Sequence, residues 1–148
     1  TETAERLSLI DDSYNANPTS VAAALEVLAG AETTNGVGRN KRGRRIAFLG
    51  DMKELGEDAV ALHAGIAHLE ATKSLDVIHC VGPLMRALYD LLPEQQRGDW
   101  FETSAEMCEG LRHKIDAGDV VLAKGSLSMK LGLVVDAIRK MGHRVTDV

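Results

Sequence analysis

The chain has 148 residues, of which 45% are hydrophobic and 26% charged, as is typical of one soluble globular domain with a sizeable core. Its net charge of −5 argues against nucleic-acid binding, and an aromatic content of 3% leaves few side chains for stacking on bases. Because two cysteines are too few for a disulfide framework, and neither a membrane-length apolar run nor a signal-peptide pattern is present, we expect a cytoplasmic protein without membrane insertion.

A short apolar run opens the chain and breaks into polar residues. Residues 7–10 predict a buried strand, and residues 20–30 predict a helix that ends at Gly30. Between them lies Asp-Asp-Ser-Tyr-Asn-Ala-Asn-Pro at 11–18, whose proline suits a first helical turn. We hypothesise a ligand site here, because open α/β sheets bind ligands at the carboxyl ends of their strands. Alternatively, Asp11, Asn15 and Asn17 only cap the helix and shape a turn.

Strand and helix patterns continue to alternate along the rest of the chain. After a mobile surface loop at 31–43, the predicted strands are 44–50, 77–82, a weak one at 100–101, and 119–123. The predicted helices are 58–71, 83–92, one capped by Thr103 or Ser104 and extending to about Ile115, and 129–141. In the helix at 58–71, the residues expected on the buried face are Ala61, Leu62, Gly65, Ile66 and Leu69.

This alternation predicts an α/β fold, a doubly wound and mostly parallel sheet with helices on both faces. No linker or repeat divides the chain, so residues 1–148 are expected to form a single domain. Parallel strands bring their carboxyl ends to one edge. We therefore expect the polar segments 11–17, 51–54 and 124–128 to meet there.

Acidic residues follow two of these strands. Asp12 at a strand end is able to accept two hydrogen bonds from a vicinal diol such as ribose, or it caps a helix. Asp51 and Glu54 are able to hold a water, a cation or an amine. The alternative for Glu54 is a first-turn acid that complements the helix dipole.

The segment Lys124-Gly125-Ser126 follows the last predicted strand. Lys124 would supply a point charge for a phosphate or carboxylate, Gly125 would let the backbone approach a ligand, and Ser126 would offer a hydroxyl. The alternative is a tight turn with a solvated lysine.

Metal and nucleophile sites have weak support. His63 and His68 are five residues apart, which does not place them on one helix face, so no dedicated zinc site is expected. His63 alone is able to face the 51–54 segment, and Cys80 inside an apolar strand is expected to be inert. Neither a Walker loop nor a Ser-x-x-Lys motif is present, and we assign no catalytic residue.

The segments 11–18, Leu-Gly-Asp-Met-Lys-Glu-Leu-Gly at 49–56 with His63 following, and Lys-Gly-Ser at 124–126 resemble the C-terminal domain of the Mur ligases. Within that family the chain is most similar to the member that adds D-alanyl-D-alanine to UDP-N-acetylmuramoyl-tripeptide. The resemblance implies a Rossmann-like domain whose partners are an N-terminal UDP-sugar domain and a central ATPase domain, both absent here. ATP and Mg²⁺ would be bound mainly by the central domain. An acyl phosphate would form, and the dipeptide amine would attack it to give an amide, ADP and phosphate.

The resemblance also implies roles for residues of this chain. Asp12 would hold the nucleotide ribose, and the other nucleotide-binding residues would be Tyr14, Asn15 and Asn17. The turn Lys124, Gly125 and Ser126 would contact the incoming amino-acid substrate. Asp51, Glu54 and His63 belong to a signature without an assigned role. Because the ATPase domain is absent, we expect the isolated chain to be inactive.

Two alternative functions are also consistent with parts of the sequence. One is a related amide ligase domain, as in folylpolyglutamate or cyanophycin synthetases, although Asn-Ala-Asn-Pro at 15–18 departs from their histidine-containing motif. The other is a receiver-like binding module, which Asp11, Asp12, Asp51 and Lys124 loosely resemble. A receiver would bind magnesium and accept phosphate on an aspartate, whereas we expect Asp51 to remain unmodified by acetyl phosphate.

Overall fold

One parallel sheet forms the centre of the molecule. The structure, a computed structural model, describes residues 6–12, 16–141 and 144–147. Within them six strands pair in the order β4-β3-β2-β5-β1-β6, and every neighbouring pair is parallel. The strands are β1 Arg6–Asp12, β2 Arg45–Gly50, β3 Val77–Val81, β4 Arg97–Phe101, β5 Val120–Lys124 and β6 Arg144–Asp147. The predicted doubly wound α/β fold is confirmed.

Helices cover both faces of this sheet. They are α1 Pro18–Ala29, α2 Ala59–Gly65, α3 Glu70–Lys73, α4 Arg86–Tyr89, α5 Ser104–Met107 and α6 Gly132–Arg139. Leu25 of α1 and Leu88 of α4 belong to the apolar core on one face, whereas Met107 of α5 and Val134 of α6 belong to the core on the other. No helix in the described part of the chain is long and apolar enough to cross a membrane.

Strand β5 lies between β1 and β2, and all of its residues are buried. Val121 and Ala123 face one core and Val120 and Leu122 the other, which explains its continuous apolar sequence. The chain leaves β1 and β2 toward the face that carries α1 and Ile66, but it leaves β5 toward the opposite face, which carries α6. Strand ends that diverge in this way open a crevice at the carboxyl edge of the sheet.

The predicted helix 58–71 is wrong in its continuity and only partly right in its buried face, because Ile66 is buried and Leu69 packs against the core while Ala61 and Leu62 are exposed. It is broken into a 3₁₀ turn at Gly56–Asp58, α2, a second 3₁₀ turn at Ile66–His68, an extended Leu69 (φ −69°, ψ 139°) and α3. Leu62 is 36% exposed, whereas His63 is fully buried. The apolar periodicity did not predict a buried histidine. His63 faces inward because it accepts a hydrogen bond from the N–H of Met52 in the loop before α2.

The predicted helix at 20–30 is confirmed as α1, whereas the predicted helices at 83–92, 103–115 and 129–141 are too long. Gly110 in the left-handed region (φ 67°) ends the segment after α5, and Lys130 (φ 57°) delays the start of α6 to Gly132. The sequence interpretation also missed β6, which pairs with β1 at the sheet edge.

The loop before β2, predicted to be mobile, is anchored at the amino edge of the sheet. The Arg39 guanidinium donates to the carbonyl oxygens of Arg112 and Ile115 at 2.6 and 2.7 Å. The backbone N–H of Asn40 donates to Asp116 at 2.7 Å. This basic loop therefore lies opposite the carboxyl edge and takes no part in the site there.

Candidate functional site

The described residues of the three polar segments meet at the carboxyl edge, as the sequence predicts. Lys124 at the end of β5 is in register with Asp12 of β1 on one side and with Leu49 of β2 on the other. The N–H of Ser126 donates to the carbonyl oxygen of Asp51 at 3.1 Å. The N–H of Lys53 donates to Ser126 Oγ at 2.8 Å. These two bonds join the segments after β2 and β5.

Two glycines allow these segments to approach each other. A Cβ added to Gly125 would lie 2.7 Å from Leu131 Cδ1 and 3.1 Å from the Cα of Gly50. Both distances are shorter than ordinary van der Waals contact. Gly125 therefore permits close packing of the turn against β2 and α6, which is a structural reason for glycine independent of any ligand.

Asp51 is turned inward instead of facing a ligand. Its side chain is fully buried, and its two carboxylate oxygens accept the backbone N–H groups of Met85 at 2.7 Å and Leu84 at 3.2 Å. A Cβ on Gly82 (φ 108°) would lie 2.5 Å from this carboxylate. Asp51 thus connects the turn after β3 to the end of β2. Within the 49–56 motif, its carboxylate positions backbone segments of the domain.

His63 holds the same loop from the other side. Its Nδ1–H donates to the carbonyl oxygen of Ala59 at 2.6 Å, and its Nε2 accepts the N–H of Met52 at 2.8 Å. Both ring nitrogens are engaged within the domain, so the imidazole is not available as a metal ligand. Glu54 is exposed and has a positive φ of 62°, which marks a tight turn in the loop that His63 supports.

Lys124 is only 3% exposed, which differs from the solvated lysine of the alternative reading. A buried lysine requires charged or polar partners. On the neighbouring strand, Asp11 lies 3.9 Å from Arg139 in an ion pair. The carboxyl end of the sheet therefore holds paired charges of both signs around β5.

The proposed nucleotide-binding residues are only partly described. Tyr14, Asn15 and the Asp12 side chain lie outside the described residues. Asn17 is the N-cap of α1: its Oδ1 accepts the N–H of Ser20 at 2.9 Å, and Ser20 Oγ accepts the N–H of Asn17 at 3.0 Å. The capping alternative therefore holds for this side-chain oxygen, and a ligand role for Asn17 stays a prediction.

A cleft that the sequence interpretation missed adjoins Ser126. It has a volume of about 470 Å³ and lies between the residues that follow β2, β3, β4 and β5. Its charged lining residues are Lys53, Glu102 and Lys130. Glu102 directly follows β4, so the strand-end reasoning that found the other polar segments would have found it if applied to this weak strand.

Other chemistry has no support at this edge. Within the described ranges, no group of three or more His, Cys, Asp or Glu residues is able to hold a metal ion. Burial, aided by the nearby Asp51 carboxylate, raises the pKa of the Cys80 thiol, in agreement with an inert core residue. The buried and hydrogen-bonded Asp51 is also inaccessible to a phosphodonor, which disfavours the receiver reading.

Comparisons with known proteins agree with the motifs. A family model described as "Mur ligase, glutamate ligase domain" matches residues 1–127. The UDP-N-acetylmuramoyl-tripeptide–D-alanyl-D-alanine ligase of Mycobacterium leprae is 35% identical over 93% of this chain and 29% of its own length. The corresponding Haemophilus influenzae ligase is 33% identical over 90% of this chain and 27% of its own length.

Solved structures show the same relation. MurF from Acinetobacter baumannii has a TM-score of 0.67 and 28% identity, over 89% of this chain and 27% of that one. MurF from Thermotoga maritima in complex with ADP has a TM-score of 0.66 at 23% identity, again over 89% of this chain, and shares the fold. The chain thus spans less than a third of the length of the relatives that it matches.

Proposed function

We propose that this chain is the C-terminal domain of an ATP-dependent ligase of peptidoglycan precursors, because the chain belongs to the Mur ligase family. The reaction would join D-alanyl-D-alanine to UDP-N-acetylmuramoyl-tripeptide, the activity named for the relatives that match most of this chain. The chain would work with an N-terminal domain for the UDP-sugar and a central ATPase domain. Residues 1–148 would be one domain of that enzyme.

The observation that carries this proposal is the convergence of three family motifs around the end of β5. Asp51, His63 and Ser126 support it because they hold the segments after β2 and β5 in a fixed arrangement. On that frame, Lys124 and the 125–126 turn would face the incoming substrate. Asp12, Tyr14, Asn15 and Asn17 would contact the nucleotide from the end of β1.

ATP would supply the phosphoryl group that activates the peptide carboxylate, with Mg²⁺ neutralising charge on the phosphates. We assign no residue of this chain to Mg²⁺. This domain would add closing contacts that position substrates and exclude water, so the isolated chain would not turn over. We also propose a cytoplasmic location, which the two free cysteines support.

The test is turnover by the full-length protein that contains this chain. It is incubated with ATP, Mg²⁺, UDP-N-acetylmuramoyl-tripeptide and D-alanyl-D-alanine, and both phosphate release and the mass of the product are measured. We expect one amide product and one phosphate per turnover, and neither without the dipeptide. Failure to form this product, or ligation of glutamate in its place, would favour the other amide ligases and contradict the proposal.

A further inference from the structure

We propose that a second cavity, at the amino edge of the sheet, binds a free α-amino acid with an aliphatic side chain. Asp76 and Gln96 receive the ammonium group of this ligand, and Lys73 binds its carboxylate. The cavity lies at the opposite end of the strands from the candidate functional site, so the inference goes beyond the proposed function and does not depend on it.

The cavity lies between the segments that lead into two neighbouring strands. Asp76 directly precedes β3, and Gln96 directly precedes β4, which is the edge strand. Ala67 and His68, in the second 3₁₀ turn after β2, form a further part of the wall. The volume of about 510 Å³ is within the range of small-molecule sites, roughly 300–1,000 Å³. The cavity is therefore large enough to hold an amino acid.

Gln96 supplies an unused hydrogen-bond acceptor to this cavity. The residue is only 8% exposed, and its Nε2 donates to the carbonyl oxygens of Thr72 at 2.6 Å and Leu75 at 2.8 Å. These two bonds fix the orientation of the amide. Its Oε1 accepts no hydrogen bond from the described residues and is not fully enclosed by them, so it opens into the cavity. Since the polar atoms of buried side chains normally have partners, this oxygen is a position for a donor from a ligand.

Asp76 supplies a carboxylate to the same cavity. Its Oδ2 accepts the N–H of Arg45 at 2.8 Å, which holds the side chain in place. Its Oδ1 lies 4.0 Å from the guanidinium of Arg42, whose side chain is 78% exposed. A long ion pair to an exposed arginine contributes little, so Oδ1 is able to accept from a charged donor. A carboxylate beside an amide oxygen favours an ammonium group, because hydrogen bonds between charged groups are the stronger ones.

The group that suits an anion lies nearer to solvent. The side chain of Lys73 is 60% exposed, compared with 33% for Asp76. Its ammonium lies 3.2 Å from Glu70, whose side chain is 92% exposed. Such a surface pair is worth little, so Lys73 is able to change partner. A ligand that enters with its ammonium group first therefore meets a cation at the mouth of the cavity, where its carboxylate lies.

The charge balance and the apolar walls narrow the class of ligand. Two cations and two anions belong to the ion pairs at the cavity, and they are Arg42, Glu70, Lys73 and Asp76. Because these charges cancel, a zwitterion keeps the site neutral, whereas a simple ion does not. The apolar lining residues are Ala67, Leu75, Leu91 and Pro93. Leu91 is 52% exposed, and an aliphatic side chain of the ligand removes part of this surface from water.

The experiment is equilibrium dialysis of the full-length protein against radiolabelled leucine, with the L and D enantiomers in separate samples. We expect saturable binding of at least one enantiomer. Lys73→Gln and Asp76→Asn should each raise the Kd about tenfold or more, the effect of losing a charged hydrogen-bonding partner. Asp76→Asn keeps an acceptor for the N–H of Arg45. The matched controls are Lys140→Gln and Asp136→Asn, which change exposed charges outside the cavity and should leave the Kd at the wild-type value.

Two competitors test the charged ends of the ligand separately. Leucinamide lacks the carboxylate and isocaproate lacks the ammonium group, so each should bind the wild-type protein about tenfold more weakly than leucine. In Lys73→Gln, leucine and leucinamide should compete equally. Leucinamide that binds the wild type as tightly as leucine would overturn the assignment to a free amino acid and indicate the N-terminus of a peptide.

Competition with the proposed substrates separates this cavity from the site at the carboxyl edge. Saturating ATP and D-alanyl-D-alanine should leave the affinity for leucine unchanged, whether or not the protein has the proposed ligase activity. Displacement of leucine by the dipeptide, or no saturable binding at millimolar leucine, would overturn the inference. Unchanged affinity in Lys73→Gln or in folded Asp76→Asn would do the same, and Lys73→Gln decides alone if Asp76→Asn does not fold.

Discussion

Acidification should destabilise this domain through one buried histidine. His79 on β3 is 3% exposed and stacks on Phe48 with ring centroids 4.6 Å apart. Its Nδ1 accepts the N–H of Asp99 at 3.0 Å, so the neutral ring carries its proton on Nε2. Burial, reinforced by the positive charges of Lys114 and Arg44 and opposed by Asp99, lowers its pKa to about 4. A second proton would have to enter at Nδ1, where it would meet the N–H of Asp99.

The direction and size of the effect follow from the two pKa values. The unfolded chain binds the proton near pH 6.5 and the folded chain only near pH 4, so the unfolded state holds more protons between these values. The free energy of unfolding therefore falls as the pH decreases through this window and is independent of His79 above it. The loss is about 2 kcal/mol at pH 5 and approaches roughly 3 kcal/mol below pH 4.

The assay is urea unfolding of the 148-residue chain at a series of pH values from 7.5 to 4.5. His79→Asn retains an acceptor but does not titrate, so it should be less stable at pH 7.5 and show a shallower dependence on pH. The exposed His113→Asn serves as the control and should keep the wild-type slope. A wild-type slope in His79→Asn, or no dependence on pH in the wild type, would refute the reasoning.

Three further substitutions test the carboxyl edge. Gly125→Ala should lower the free energy of unfolding by about 1–3 kcal/mol in urea, because its Cβ would lie 2.7 Å from Leu131, whereas Gly65→Ala, with no neighbour within 4 Å, should be neutral or stabilising. Asp51→Asn should cost about 1–3 kcal/mol, since an amide replaces one of two acceptor oxygens, and mass spectrometry should find wild-type Asp51 unmodified after acetyl phosphate treatment. Lys124→Ala in the full-length enzyme should raise the dipeptide KM or lower kcat, and unchanged kinetics with an intact fold would remove Lys124 from the substrate site.

The edge where the polar segments lie could be predicted because it depends on a local pattern. Each strand ends where apolar residues give way to polar ones, and parallel strands place those ends side by side. The roles of individual residues could not be predicted in the same way. Asp51 and Glu54 are equally polar in sequence, yet only Asp51 is buried under the N–H groups that precede α4.

The cleft shows the same limit over a longer range. Glu102 and Lys130 are far apart in sequence, and they line one cavity only because β4 leads into α5 beside the segment that follows β5. The order of the strands depends on which helices cover each face of the sheet. The residues that make these contacts are spread over the whole chain, so no local pattern reveals the order.

The sequence by itself determined the alternation of strands and helices, the parallel sheet and the three motifs at its edge. These follow from the periodicity of apolar residues and from short segments that are read locally. Only the tertiary structure decided that the helix after β2 breaks at Leu69 and that His63 is buried. The physical reason is that specific hydrogen bonds outweigh the local preference for an uninterrupted helix: the N–H of Met52 donates to His63, and the buried Thr72 hydroxyl donates to the carbonyl oxygen of Ile66 at 2.7 Å across the break.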